Sequence, residues 1–225
     1  WSTPRAIDQE FVIPDDYVTP SDDFADALAA QIKDPQKTCI VLTARPGVGK
    51  STFLSALVRD RRKREQPVIR HHYFLSARDR SDRLDAERVI ESLMAELASQ
   101  YKDAISEVSA SNPMPAEFPA WLEAAGQYSL ARGERLVVII DGLDHVWRDT
   151  GSLHDLDGLF RRLLPPPPGV CVLVGSQPLP DIHLPRSLVA AAPRAGWLEV
   201  PCLDKDALRV WVGHHSQDFA ISDNE

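Results

Sequence analysis

Residues 43–52 read TARPGVGKST. Glycines, a lysine and hydroxyls at this spacing suit one chemistry, the grasp of a phosphate chain. Small residues let backbone N–H groups curl around phosphate oxygens, an ammonium reaches the terminal phosphates, and a hydroxyl binds Mg²⁺. Gly47 and Gly49 supply the curl, Lys50 the charge and Ser51 the hydroxyl, with Arg45, Pro46, Val48 and Thr52 completing the cradle. The template G-x-x-x-x-G-K-[ST] has glycine where this chain has Ala44. Alanine fits there if the position needs neither a positive φ nor very close ligand approach. A second stretch, RLVVIIDGLDHV, runs the apolar residues Val137 to Ile140 straight into Asp141. An acid at the C-terminal end of a buried parallel strand stands where α/β sheets bind ligands and where Mg²⁺ is usually held. Ser51 and Asp141 are therefore the candidate Mg²⁺ ligands. Taken singly, each stretch has a bland reading, a glycine-rich turn or an acid opening a loop; each gains weight from the other.

These residues need a strand before the cradle, a helix after it and a second strand beneath the acid. The sequence predicts all three. TCIVLTA (38–44) is an apolar, β-branched run, the helix KSTFLSALVRDRRKR follows the cradle, and RLVVIID (135–141) is a strand. Further strands are expected at 67–76, 169–176 and 197–200. Helices are expected at 21–32, with Ser21 as N-cap, at 84–101, at 120–133 ended by Gly133, at 153–164 stopped by the prolines 165–168, and at 204–215. Residues 106–119 read as loop and the proline run as a stiff connector. Apolar strands alternating with helices predict an α/β fold, a parallel sheet covered on both faces. The expected organisation is a lead-in with a short helix over 1–35, a core over 36–201 and the start of a further helical unit over 202–225.

Composition bounds the rest. The chain has 225 residues, 44% of them hydrophobic, enough for a full core. No apolar run approaches the ~20 residues that span a bilayer, and the N-terminus lacks the pattern of a signal peptide. Three scattered cysteines, Cys39, Cys171 and Cys202, suggest buried free thiols in a reducing cytoplasm. A net charge of −8 argues against a protein that coats nucleic acid.

The residues also point to a family. DGLDH after an apolar strand resembles the extended Walker B motif of STAND-class P-loop NTPases, above all the NACHT type, in which a small residue and a second acid follow the first Asp. PVIRHHYFLS with RLDAERVIESLMAELA is similar to the second strand and helix of that class, GVCVLVGSQP to its sensor strand, and WLEVPCLDKDALRVWV to its final strand leading into a helical lid. The resemblance covers residues 36–215 and looks closest to prokaryotic STAND proteins of antiphage defence, the Avs type. It implies a three-layer α/β/α P-loop NTPase with a five-stranded parallel sheet ordered 5-1-4-3-2, followed by the start of a truncated helical lid. It also implies an ATP-driven switch that oligomerises and activates an effector when a sensor region outside this segment binds a trigger protein. Within it, Asp144 becomes the candidate general base, because Gly142 cannot serve and His145 is a weaker substitute for a carboxylate. Ser176 and Gln177 become the candidate readers of the γ-phosphate. His145 stands where the family often has a further acid, which bears on fast hydrolysis. Gln177 stands where it often has arginine, which removes a cation from the site.

No guanine-reading motif is present, so ATP is expected over GTP. Two rivals remain at this level: a nucleotide-binding scaffold without turnover, and a small-molecule kinase. The adjacent strand residues His71 and His72 face opposite ways and are expected to serve packing and hydrogen bonding. The helix end RDRRKR (59–64) and His214 and His215 are expected to be solvated, and Arg78, Arg80 and Arg83 are candidate phosphate or subunit contacts without a favourite.

Overall fold

Strands with unbroken apolar runs, such as 136–140 and 170–174, cannot leave either face in water, and here both are buried throughout. The computed structural model describes residues 4, 6–75, 83–106, 108 and 113–215. In chain order they form α1 (Asp22–Lys33), β1 (Cys39–Thr43), α2 (Lys50–Lys63), β2 (Val68–His72), α3 (Ala86–Gln100), α4 (Lys102–Ile105), α5 (Phe118–Ala131), β3 (Leu136–Asp141), α6 (Leu143–Thr150), α7 (His154–Leu163), β4 (Val170–Ser176), α8 (Arg186–Ala191), β5 (Leu198–Glu199) and α9 (Lys205–His215). The strands make one five-stranded sheet in the order β2-β3-β4-β1-β5, the expected 5-1-4-3-2 read from the other edge. Every pairing is parallel.

Successive strand residues serve opposite cores. Leu136, Val138 and Ile140 of β3 join Val89, Leu93, Trp121 and Phe160 from α3, α5 and α7. Val137 and Ile139 join Leu28, Ile32, Phe53 and Leu54 from α1 and α2 on the other side. The result is a three-layer α/β/α sandwich. Because all strands run the same way, Thr43, His72, Asp141 and Ser176 emerge along one edge of the sheet, in the registers His72↔Asp141, Asp141↔Gly175 and Thr43↔Ser176.

Strand β2 lies at the sheet's border, and its outward N–H groups would invite another strand. Side chains occupy them instead. The Val68 amide donates to the Tyr101 hydroxyl at 2.9 Å, the Arg70 amide to Glu96 at 2.9 Å, and the His72 amide to Gln9 Oε1 at 2.8 Å. At the opposite end of the sheet, buried Arg135 donates to the carbonyls of Ile32, Asp34, Lys37 and Val170, stapling the end of α1 to β3 and β4.

Several expectations need correction. Helices α4, α6 and α8 were not foreseen: at four, eight and six residues they are too short to repeat an apolar period. Strand β2 ends at His72, before the anticipated 76. The 59–64 stretch is not wholly solvated, since Arg61 is buried and donates to the carbonyls of Pro67 and Arg135. Cys39 and Cys171 are buried, in opposite cores, but Cys202 is exposed. Arg78, Arg80 and part of the 106–119 loop lie outside the described residues. No described helix is long and apolar enough to cross a membrane.

Candidate functional site

The cradle leaves the end of β1 and turns into α2 on two glycines in the left-handed region, Gly47 at φ +83° and Gly49 at φ +96°. Side chains resist that backbone, so the curl depends on glycine at both places. Gly49 caps α2 without any side-chain hydrogen bond, and no acid stands in the helix's first turn. The opening N–H groups of α2 and the positive end of its dipole are thereby left to an anion. Lys50, Ser51 and Thr52 form that first turn. Ala44 is buried at 1% exposure and packs in the core beneath α2, and its φ is not positive, so a methyl is accommodated where the template has glycine. Arg45 and Pro46 stand exposed on the rim, and the Val48 side chain packs against the same core as Ala44.

Beneath the cradle, Lys50 Nζ is paired with Asp141 Oδ1. The other carboxylate oxygen, Oδ2, lies 3.3 Å from His72 Nδ1. Burial by itself pushes the Asp141 carboxyl up, but the Lys50 charge and the His72 and Lys50 hydrogen bonds outweigh it and hold the group well below the usual carboxylate range. Asp141 is therefore an ionised, buried oxygen donor at the strand's C-terminal end. Together Lys50, Ser51, Thr52, Asp141, Asp144 and Gln177 line a cleft of about 390 Å³ that also takes in the loop from Ala44 to Gly47.

Asp144 enters this cleft from the first turn of α6, and both its oxygens are engaged. Oδ1 accepts the Gln177 N–H at 3.2 Å and Oδ2 accepts Arg148 Nη2 at 3.0 Å, one helical turn away. The same Arg148 nitrogen lies 3.2 Å from Gln177 Oε1. His145 also lines the cleft, with Nε2 3.7 Å from Asp144 Oδ2, and its ring stacks on Phe74 at a centroid distance of 4.4 Å with planes at 5°. Ser176 is fully buried and spends its hydroxyl on the Gln177 carbonyl at 2.8 Å, while Gln177 itself faces the cleft.

The residue types fit Mg²⁺ held with phosphate: a hard, ionised oxygen in Asp141, a hydroxyl in Ser51, and the remaining positions for phosphate and water. Residues 37–218 match the NACHT domain. The chain belongs to the NACHT domain family. Curated proteins give no match. Among solved structures, this NACHT domain is similar to the Aeropyrum pernix ORC1 protein in complex with DNA, at 16% identity over 92% of this chain and 51% of that one, with a TM-score of 0.49. It is also similar to the Aeropyrum pernix ORC2 protein (ADPNP-ADP complexes), at 16% identity over 91% and 54% with a TM-score of 0.48. A third likeness is to C. elegans PCH-2, at 13% identity over 95% and 53% with a TM-score of 0.45. The chain thus spans about half the length of these structures.

Three residues around this candidate site were not singled out for it from the sequence. His72 is Asp141's neighbour in register, a relation visible only once β2 and β3 are paired. Arg148 stands four residues after Asp144, a spacing that would have flagged it had α6 been foreseen. Gly175 interrupts an apolar strand where no turn needs it, which is itself a sign of close approach. A Cβ there would lie 2.2 Å from Asp141 Oδ1 and 3.1 Å from Lys50 Nζ.

Proposed function

We propose that this NACHT domain binds Mg·ATP at the cradle, hydrolyses it slowly, and serves as the switch of a larger STAND signalling protein, of the kind used in antiphage defence, in which nucleotide state governs oligomerisation and effector activation. The observation that carries the reading is the Lys50–Asp141 pair under an uncapped helix N-terminus. The cation for phosphate and the carboxylate for metal already touch, so one Mg·nucleotide would satisfy both. Asp144 is the general base of this reading. Each of its oxygens already accepts one hydrogen bond, from Gln177 or from Arg148, so a proton must come to one of the remaining lone pairs, a constraint that supports slow turnover. The same observation favours a second reading, a nucleotide-binding module with no turnover.

Calorimetry and phosphate release test both. Lys50→Ala should weaken Mg·ATP binding at least about tenfold, the scale of losing one charge-assisted contact to phosphate, while leaving the fold intact by circular dichroism. Parent and variant binding alike would overturn the assignment. Binding by the parent without any phosphate release would select the module without turnover.

A further inference from the structure

We infer that His72, seated by Gln9 of the N-terminal lead-in, is the positioning residue of Asp141: it clamps Oδ2, so that Oδ1 alone is presented to the cleft. The inference deepens the proposed nucleotide site and rests on that reading.

His72 is enclosed on every side. Its ring is fully buried at the end of β2, with Nδ1 3.3 Å from Asp141 Oδ2 and Nε2 3.4 Å from the Ser55 hydroxyl of α2. An ionised carboxylate only accepts hydrogen bonds, so Nδ1 carries the hydrogen toward Asp141. The ring then bridges α2 and β3, the two elements that carry Lys50 and Asp141. Lys50 holds the opposite oxygen, Oδ1. When phosphate draws the lysine away, Oδ1 loses its partner while Oδ2 keeps the imidazole. The carboxylate is left with one oxygen fixed and one available, the arrangement that hydrogen-bonded partners give a metal-binding carboxylate.

What fixes the histidine comes from far away in sequence. Gln9 is buried, and its Oε1 accepts the His72 backbone N–H at 2.8 Å. Its Nε2 lies 3.0 Å from His71 Nδ1. Arg83 Nη1 reaches the His72 carbonyl at 3.1 Å, and its other terminal nitrogen reaches the Asp8 carbonyl. Phe11, two residues beyond Gln9, places its ring 5.8 Å from the His72 ring and lines the nucleotide cleft. Residues 8–11 thus form a strap across the end of β2, and through His72 the strap is joined to the carboxylate under the cradle. A purely structural histidine would need these contacts for folding alone. A positioning histidine must also make the position of the strap felt in metal-dependent binding.

The test is calorimetry of ADP against the full chain, with Mg²⁺ and with EDTA, for the parent, His72→Leu, His72→Asn and Gln9→Ala. His72→Leu should lose about tenfold in the Mg²⁺ arm and stay within about twofold in the EDTA arm. His72→Asn places an amide N–H near the position of Nδ1 and should recover most of that loss. Gln9→Ala, which touches neither Asp141 nor phosphate, should show a smaller loss in the Mg²⁺ arm only. Should His72→Leu not fold, His72→Asn and Gln9→Ala decide by the same comparison. Equal losses in both arms, an asparagine variant as weak as the leucine one, or a Gln9→Ala protein indistinguishable from the parent would each overturn the inference. In those cases the parent still binds Mg·ADP and the proposed function stands. A parent that binds no nucleotide in either arm overturns both.

Discussion

At the scale of single residues, the site depends on two opposite treatments of the smallest side chains. At position 44 a methyl is harmless because it points into the core under α2. At position 175 a methyl has no room: its Cβ would fall 2.2 Å from Asp141 Oδ1 and 2.7 Å from Leu54 Cδ1. Asp141 and Leu54 are themselves buried, so neither can swing aside into solvent. Gly175→Ala should therefore cost about 1–3 kcal/mol of stability, the usual range for overpacking a core. It should also weaken nucleotide binding more with Mg²⁺ than without, since the displaced atom is the oxygen that the proposed site offers to the metal. Gly196→Ala, where nothing lies within 4 Å of the added carbon, is the control and should change neither quantity. Urea unfolding and calorimetry on both variants check this. A Gly175→Ala protein with parent-like stability would mean that the strands yield enough to admit a methyl group.

At the scale of elements, α6 brings the second acid of the motif to the cleft. It begins immediately after Asp141 and Gly142, buries Leu143 and Val146 against the sheet, and carries Asp144 and Arg148 on one side. Asp144→Asn keeps one oxygen acceptor, for the Gln177 N–H or for Arg148 but not for both, and cannot take a proton. Turnover should fall at least about a hundredfold, in the range assigned to general-base removal, with ATP affinity nearly unchanged. Phosphate release at parent level would remove Asp144 from that role. The motif residues Lys50, Ser51 and Asp141 were legible in the sequence because their chemistry is local: a loop of fixed spacing and an acid ending an apolar run. The long helices and all five strands were legible for a similar reason, an apolar period or run clear enough to detect. Helix α6 was not, because eight residues hold only two turns. His72 and Gly175 were not, because their meaning lies across strands, and register does not appear in a linear string. Gln9 lay furthest from reach, 63 residues before the amide that it caps.

At the scale of the whole molecule, the polar cluster joining the lead-in to the sheet should make the fold sensitive to acid. His71 is fully buried, between the Gln9 amide and the Arg83 carbonyl and edge-on to Tyr73. Burial pushes its pKa down from 6.5 to about 3, and the nearby Arg83 and His72 charges act in the same direction against the Arg83 carbonyl. Above pH 6.5 the site is neutral folded or unfolded, and its contribution is fully present. As pH falls below 6.5, the unfolded chain takes up a proton that the folded chain refuses until about pH 3, so stability declines through this window. One proton sets a limiting slope of about 1.4 kcal/mol per pH unit. Asp141, depressed below its ordinary 3.8, adds its own loss only at the acid end, as pH falls through its folded value. Glu96, raised above 4.5 mainly by burial, acts in the opposite sense and partly offsets the decline near its own titration. Between pH 6.5 and about 5.5 the His71 contribution is read as the difference between the parent and His71→Gln. Urea midpoints measured across this interval should fall with pH for the parent and be flatter for His71→Gln, whose amide keeps hydrogen-bonding capacity without a titrating ring. If the two slopes coincide, His71 is not the group that senses acid, and the lead-in is held to the sheet by contacts indifferent to its charge.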